Sequence, residues 1–77
     1  MRDLLEFIAR ELVDEPDAVR VEEVKDARGV LLTLRVAPDD MGKVIGRGGR
    51  TARAIRSVVK AGGLRAGIHH IGVEIVD

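Results

Sequence analysis

The chain has 77 residues, of which 45% are hydrophobic and 34% charged, and its formal net charge is zero. This length allows one small domain over residues 1–77 and excludes a larger multidomain enzyme, and domains of this size often need a partner or cross-link for stability. The absence of Cys excludes disulfides and thiolate metal sites. No apolar run reaches the ~18 residues of a membrane span. We therefore expect a cytoplasmic domain without cofactor, metal or membrane contact.

The first part of the chain predicts one helix and two strands. Asp3 and Glu6 have the spacing of a capping box, and the helix ends before Pro16. The apolar face of this helix consists of Leu4, Leu5, Ile8, Ala9, Leu12 and Val13, with Phe7 outside it. Alternating apolar residues predict strands over 19–24 and 30–36, with a bulge at Glu22–Val24 and a turn at Asp26–Gly29.

The second part predicts two helices and a third strand. A short helix follows Pro38 with an aspartate as its N-cap, and its apolar residues are Met41, Val44 and Ile45. A longer helix runs from about Gly49 to Ala61 and ends at Gly62-Gly63. Its inner face consists of Ala52, Ile55, Val58 and Val59, and its opposite face of Arg50, Arg53, Arg56 and Lys60. Alternation at Ile71, Val73 and Ile75 predicts the last strand.

The element order α-β-β-α-α-β predicts an α+β fold. Because the connection through two helices is long, the last strand returns parallel to a neighbour and the three-stranded sheet is mixed. We expect the three helices to cover one face of this sheet and to leave the other face open, where a second chain can dock.

Charge is distributed unevenly along the chain. Residues 1–40 carry six basic and eleven acidic side chains, a net charge of −5, whereas residues 41–77 carry seven basic and two acidic ones, a net charge of +5. No acidic residue lies between Met41 and Val73. This asymmetry favours a polyanion or an acidic partner on one side of the domain. Arg56 and Lys60 fit an ordinary solvated helix face equally well.

A glycine-rich segment, Gly46-Arg47-Gly48-Gly49, lies between the last two helices. It matches neither a P-loop, which needs Gly-Lys after a four-residue gap, nor a dinucleotide fingerprint, which needs a third glycine where Thr51 stands. A Gly-x-x-Gly bend poor in side chains lets a sugar-phosphate backbone approach its N–H groups, and the following helix N-terminus also favours phosphate. Arg47 and Arg50 are placed for charge-assisted bonds to phosphate oxygens.

The segment Val44–Arg50, within this element order, resembles a type II KH domain. The similarity also covers Arg35–Gly46 and Ala54–Arg56, and the whole chain closely resembles the small stand-alone bacterial KH proteins of the KhpA family. The resemblance implies binding of single-stranded RNA over about four nucleotides. It also implies a homodimer, or a heterodimer with a KH protein of the KhpB type. Thr51 and Gly48 depart from the usual pattern of the family.

The resemblance assigns roles by position. Gly46, Arg47, Gly48 and Gly49 form the backbone clamp, Lys43, Arg50 and Arg53 supply flanking positive charge, and Ile45 helps to floor the groove for the bases. No nucleophile–base pair or metal cluster is evident, so we expect no enzyme activity. We interpret the chain as an RNA chaperone or post-transcriptional regulator. The alternatives are a module that mainly pairs with a second KH protein, and a factor associated with the ribosome or pre-rRNA.

Overall fold

The computed structural model describes all of residues 1–77 as three helices and three strands with short 3₁₀ turns between them. The helices are α1 (Arg2–Leu12), α2 (Met41–Ile45) and α3 (Arg50–Arg65), and the strands are β1 (Arg20–Lys25), β2 (Val30–Arg35) and β3 (Ile71–Val76). The 3₁₀ turns occupy Pro16–Ala18, Pro38–Asp40 and Arg47–Gly49. The predicted order α-β-β-α-α-β is confirmed. None of these helices combines the length and the hydropathy that crossing a bilayer requires.

The sheet has the strand order β1-β2-β3 and is mixed, as predicted. β1 and β2 are antiparallel, and β2 and β3 are parallel through the crossover that contains α2 and α3. The predicted bulge in β1 is wrong, since all six residues of β1 pair one to one with β2. Val24 breaks the apolar phase of the sequence because it lies on the open face of the sheet, where its side chain is 59% exposed.

The core lies between the other sheet face and the three helices. Its fully buried side chains include Leu5 of α1, Leu32 and Leu34 of β2, Val44 of α2 and Val59 of α3. Each such side chain contributes about 1.5–3 kcal/mol by leaving water. Because α2 and α3 are anchored in this way, the glycine-rich turn that joins them is held at a fixed place on the domain.

The start of α1 differs from the prediction. The helix begins at Arg2 with Met1 as its N-cap, and no side chain caps it. Asp3 therefore lies inside the first turn, where its carboxylate contacts Arg2 instead of forming a capping box with Glu6. The acidic charge still favours the positive end of the helix dipole. Phe7 lies off the buried face, as predicted, and is 65% exposed.

The end of α3 also differs from the prediction. The helix continues through Gly62 and Gly63 to Arg65. Gly63 serves packing instead of ending the helix, because a Cβ there would overlap the Ile71 side chain of β3. After the C-cap Ala66, Gly67 has a φ of 82° and turns the chain away from the helix. The N–H of Ile68 donates to the Gly63 carbonyl at 2.8 Å, as in a Schellman motif. Val58, predicted to face inward, is 48% exposed.

Asp40 has a different role from the predicted N-cap of α2. Its carboxylate makes no cap bond to α2 and instead accepts the backbone N–H groups of Asp14 and Glu15, each at 3.1 Å. Asp40 is only 2% exposed. The start of α2 is thus tied to the chain that leaves α1, which fixes Asp14 beside α2.

Candidate nucleic-acid interface

The segment Gly46–Gly49 forms one tight turn between α2 and α3. Gly46, Gly48 and Gly49 have φ values of 74°, 63° and 78°, in the region that residues with a Cβ rarely adopt. At Gly46 a Cβ would also overlap the Thr51 side chain, whereas at Gly48 no atom lies within 4 Å of the Cβ position. The turn therefore requires glycine at Gly46 for both shape and space, whereas at Gly48 only the left-handed φ favours glycine, and Asp and Asn also adopt that conformation.

Two N–H groups of this turn are free. The N–H of Gly46 donates to the Gly42 carbonyl at 2.9 Å, and the N–H of Gly49 donates to the Gly46 carbonyl at 3.1 Å. The N–H groups of Arg47 and Gly48 donate to no acceptor within the fold, and both residues are exposed. Adjacent free N–H groups on an exposed turn form a concavity that suits an anion.

The positive charges around the turn are also free. Arg47, Arg50 and Arg53 are exposed, and none of them forms an ion pair, while the basic residues of α1, Arg2 and Arg10, are paired with carboxylates. Arg53 lies against the turn, with Nη1 3.3 Å from the Cβ position of Gly49. Unpaired guanidinium groups beside free N–H groups attract phosphate more strongly than either feature does alone.

Lys43 is the exception among the predicted cations. Its Nζ lies 3.2 Å from a carboxylate oxygen of Asp14, with the two side chains 44% and 76% exposed. The backbone N–H of Asp14 is held in turn by the buried carboxylate of Asp40. Sequence reasoning missed this pairing because Asp14 and Lys43 are far apart in the chain and no local pattern links them.

Apolar and polar groups extend from the turn along α3. Ile45, at the end of α2, is 37% exposed beside the turn. Arg56, which the sequence assigned only to a charged helix face, is half-buried and donates its Nε–H to the Val73 carbonyl of β3 at 3.3 Å. All eight predicted site residues thus lie together at the junction of α2, the turn and α3, and Arg56 adds a cation between α3 and β3.

His69 and His70 lie elsewhere, at the start of β3. Both are exposed and neither forms an ion pair. No three His, Cys, Asp or Glu side chains come together in a way that could hold a metal ion.

Comparison with known proteins gives consistent matches along the chain. The sequence profile of the family described as "KhpA/KhpB, KH domain" matches residues 2–75. The chain is 51% identical to the RNA-binding protein KhpA of Clostridium acetobutylicum over 76 residues, covering 99% of this chain and 100% of that protein. It is 49% identical to the KhpA protein of Clostridium perfringens, with the same coverage. It is 48% identical to that of Streptomyces coelicolor over 77 residues, covering 100% of this chain and 92% of that protein.

These matches run through the turn as well as through the core, and the observed α-β-β-α-α-β order with a mixed sheet is that of a type II KH fold. The chain therefore belongs to the KhpA/KhpB family of KH-domain proteins.

Proposed function

We propose that this chain is a non-enzymatic protein that binds single-stranded RNA by holding the sugar-phosphate backbone in the turn Gly46–Gly49. The observation that carries the proposal is the pair of free, exposed N–H groups at Arg47 and Gly48 beside the unpaired Arg50 and Arg53. The N-terminus of α3 adds partial positive charge at the same place. The relatives from the two Clostridium species are RNA-binding proteins by name, which supports the same function.

Phosphate contacts carry most of the proposed affinity. The only aromatic residue is Phe7, which lies on α1, so the ~1–3 kcal/mol per base that an aromatic platform provides is absent. Binding by one chain is then weak, salt-sensitive and tolerant of sequence. These properties suit an RNA chaperone or post-transcriptional regulator in the cytoplasm, with residues 1–77 acting as one KH domain.

A charge placed on the turn tests the proposal. Gly48→Asp adds a carboxylate where nothing lies within 4 Å of the Cβ position, so we expect the fold to persist and the affinity for single-stranded RNA to fall at least tenfold, roughly one charge-assisted contact. Gly67→Asp is the matched control, because Gly67 is also exposed, with φ of 82° and open space. The readouts are fluorescence anisotropy with a four-nucleotide RNA pool and circular dichroism. Equal affinities of the two variants, both folded, would refute the proposal.

We also propose that the open sheet face pairs with a second copy of this chain. The pairing of neighbouring strands arranges the side chains of this face in three rows across the sheet. The basic row contains Arg20 and Arg35, the acidic row contains Glu22 and Glu74, and the apolar row contains Val24 and Leu31. A two-fold axis can lie perpendicular to the strands, between the basic and the acidic row. Two copies of the chain related by this axis face each other with each basic row opposite the partner's acidic row. Electrostatic complementarity of this kind fixes the register of an interface.

Glu22→Arg tests this pairing, because it places an arginine opposite the partner's basic row. Glu11→Arg on α1 is the control of equal charge change, since Glu11 is exposed and forms no ion pair. We expect light scattering over a concentration series to give a dimer for the native chain and the control, and a monomer for Glu22→Arg. A native chain that stays monomeric, or equal masses for both variants, would contradict the pairing.

The second candidate function is pairing with a KH domain of the KhpB type as the main role, with RNA incidental. The unpartnered sheet face favours it, and the matching family description includes both KhpA and KhpB. In a pull-down, the Gly48→Asp variant would then capture the KhpB-type protein without RNA. In cells that lack the native chain, the same variant would restore growth to the level that the native chain supports. A variant that captures the KhpB-type protein but does not restore growth would leave RNA binding as the main role. Sequencing of crosslinked RNA would identify ribosomal or pre-rRNA targets.

A further inference from the structure

The outer edge of β1 is a free edge of the sheet, on the side opposite β3. The strand order β1-β2-β3 leaves no strand beside it. β1 is regular over its six residues and contains no proline, and each residue pairs one to one with β2. Proteins usually block an edge strand with a proline, a bulge or a covering element, so an edge this regular can accept a further strand.

Hydrogen bonds in the β1–β2 hairpin show which groups of β1 point to this edge. Asp26 and Gly29 exchange bonds between their N–H and carbonyl groups, at 2.9 and 3.3 Å, which sets the alternation along the ladder. The residues whose N–H and carbonyl groups point outward are therefore Val21, Glu23 and Lys25. The Val21 carbonyl supports this alternation directly, because it accepts the Nε–H of Arg2 at 3.1 Å from outside the sheet.

Arg2 of α1 occupies only a small part of the edge. Its guanidinium group takes the Val21 carbonyl and also contacts the carboxylates of Asp3 and Glu6, at 3.3 and 3.8 Å. The Arg2 side chain remains 48% exposed, and contacts of such exposed groups are weak. The outward N–H and carbonyl groups of Glu23 have no partner within the fold. The middle of the edge is thus free, and its one covered acceptor can be released.

Charge and exposure beside the edge favour a basic and apolar segment. Glu23 lies on the helix side of the sheet, where it is half-buried, and its carboxylate forms no ion pair. A lysine or arginine directly opposite it on an added strand would supply the missing cation. Val24, on the open face, is 59% exposed and would pack against an apolar neighbour. The cations Arg20 and Lys25 lie at the two ends of the strand, away from this middle part.

We propose that the β1 edge binds an extended segment of a partner protein as a fourth, antiparallel strand, with a basic residue opposite Glu23 and an apolar residue opposite Val24. The added strand displaces Arg2 from its carbonyl acceptor. The backbone groups of the edge point in the plane of the sheet, so they stay accessible when the open face pairs with a second copy. The proposal does not depend on RNA binding, because α3 packs against β3 at the opposite edge.

The probe is the peptide Thr-Val-Lys-Val-Thr, acetylated and amidated, titrated into the native chain and followed by NMR of the backbone amides. The largest shifts are expected at the three outward amides, those of Val21, Glu23 and Lys25. One control peptide carries glutamate in place of lysine, and another carries a methyl group on the lysine backbone nitrogen. Each should bind about fivefold more weakly than the probe, the equivalent of one hydrogen bond.

Variants of the chain separate charge from strand pairing. Glu23→Gln removes only the charge and should weaken binding by about 1.4-fold to 5-fold, whereas Glu11→Gln, at an exposed and unpaired glutamate of α1, should leave it unchanged. Glu23→Pro also removes an outward N–H but no bond to β2, so it should weaken binding by a further factor of about five. The methylated peptide makes the same test with the chain unchanged. Arg2→Ala frees the Val21 carbonyl and should tighten binding at least about twofold.

Absence of shifts at the outward amides, or equal affinities for the three peptides, would overturn the proposal. Loss of the dimer mass of the chain in Glu23→Pro, measured by light scattering, would assign the edge to a second copy and would overturn it too. Displacement of the peptide by a four-nucleotide RNA would assign the edge to RNA instead of a protein segment. An Arg2→Ala variant that binds the peptide no more tightly than the native chain would contradict the proposed pairing.

Discussion

In the proposed binding mode Asp14 competes with RNA for Lys43, so the removal of its charge should strengthen binding. In the free protein the Lys43 ammonium group lies 3.2 Å from the Asp14 carboxylate, so a phosphate must first displace this partner. Both side chains are substantially exposed, which places the ion pair in the range of about 0.2–1 kcal/mol. Asp14→Asn removes the competing charge while leaving the backbone N–H that Asp40 accepts. We therefore expect the affinity for single-stranded RNA to rise between about 1.4-fold and 5-fold.

The salt dependence of binding measures the same change independently of absolute affinity. Each neutralised phosphate of a single strand contributes about −0.7 to the slope of log affinity against log salt. With Arg47, Arg50 and Arg53 as the unpaired cations, the native chain should give a slope of about −2. A released Lys43 should steepen it to about −3 in Asp14→Asn. The assay is anisotropy with a four-nucleotide RNA pool, repeated over a series of salt concentrations.

The control for this prediction is Asp17→Asn, which changes the net charge by the same amount. The Asp17 side chain is fully exposed and its carboxylate pairs with Arg10 of α1, at 3.7 Å, so its neutralisation frees no cation at the turn. Long-range electrostatics alone would raise the affinity of both variants equally and leave both slopes unchanged. That result would refute the idea that Asp14 holds Lys43 away from the RNA.

Two further predictions concern the stability of the scaffold that presents the turn. Asp40→Ala leaves two backbone N–H groups without their acceptor and should lower the free energy of unfolding by about 2–4 kcal/mol. The control is Asp39→Ala at the exposed neighbour, which should change the free energy of unfolding by no more than about 0.5 kcal/mol. Urea denaturation followed by circular dichroism measures both, and similar midpoints would contradict the role given to Asp40. Gly29→Ala should cost about 1–3 kcal/mol, because its Cβ would overlap the backbone carbonyl of the residue before β3. In Gly42→Ala the new Cβ meets no atom within 4 Å inside α2, so this variant should be more stable than the native chain by up to about 1 kcal/mol. Thermal unfolding measures both glycine variants, and a shift of the melting temperature in the same direction for Gly29→Ala and Gly42→Ala would contradict the packing described here.

Local sequence patterns predicted the type and order of every helix and strand. Strict alternation identified β2 and β3, and the 3.6-residue period identified α1 and α3, because each of these elements buries one face. The errors came where a residue type has two uses. The pair Gly62-Gly63 predicts a helix end, whereas Gly63 lies within α3 and allows the helix to approach β3 closely. The segment Pro38-Asp39-Asp40 predicts an aspartate N-cap for α2, whereas the carboxylate of Asp40 binds the chain after α1.

The candidate site shows the same division. Glycine spacing and the neighbouring arginines located the turn. Three of its four proposed cations, Arg47, Arg50 and Arg53, form no ion pair, as a phosphate-binding role requires, whereas Lys43 is paired through a contact that spans the fold. Sequence could not show which N–H groups of the turn are free, because that depends on the hydrogen bonds that Gly46 and Gly49 make.

The sequence by itself determined the α+β class, the helix–turn–helix that carries the glycines, and the concentration of positive charge after residue 40, since all three depend on neighbours along the chain. Only the tertiary structure decided that Asp14 meets Lys43, that Arg56 reaches β3, and that Lys60 and Leu64 share a cleft with the β1–β2 hairpin. These contacts join residues distant in sequence, and they form only when helices and sheet are packed against a common core.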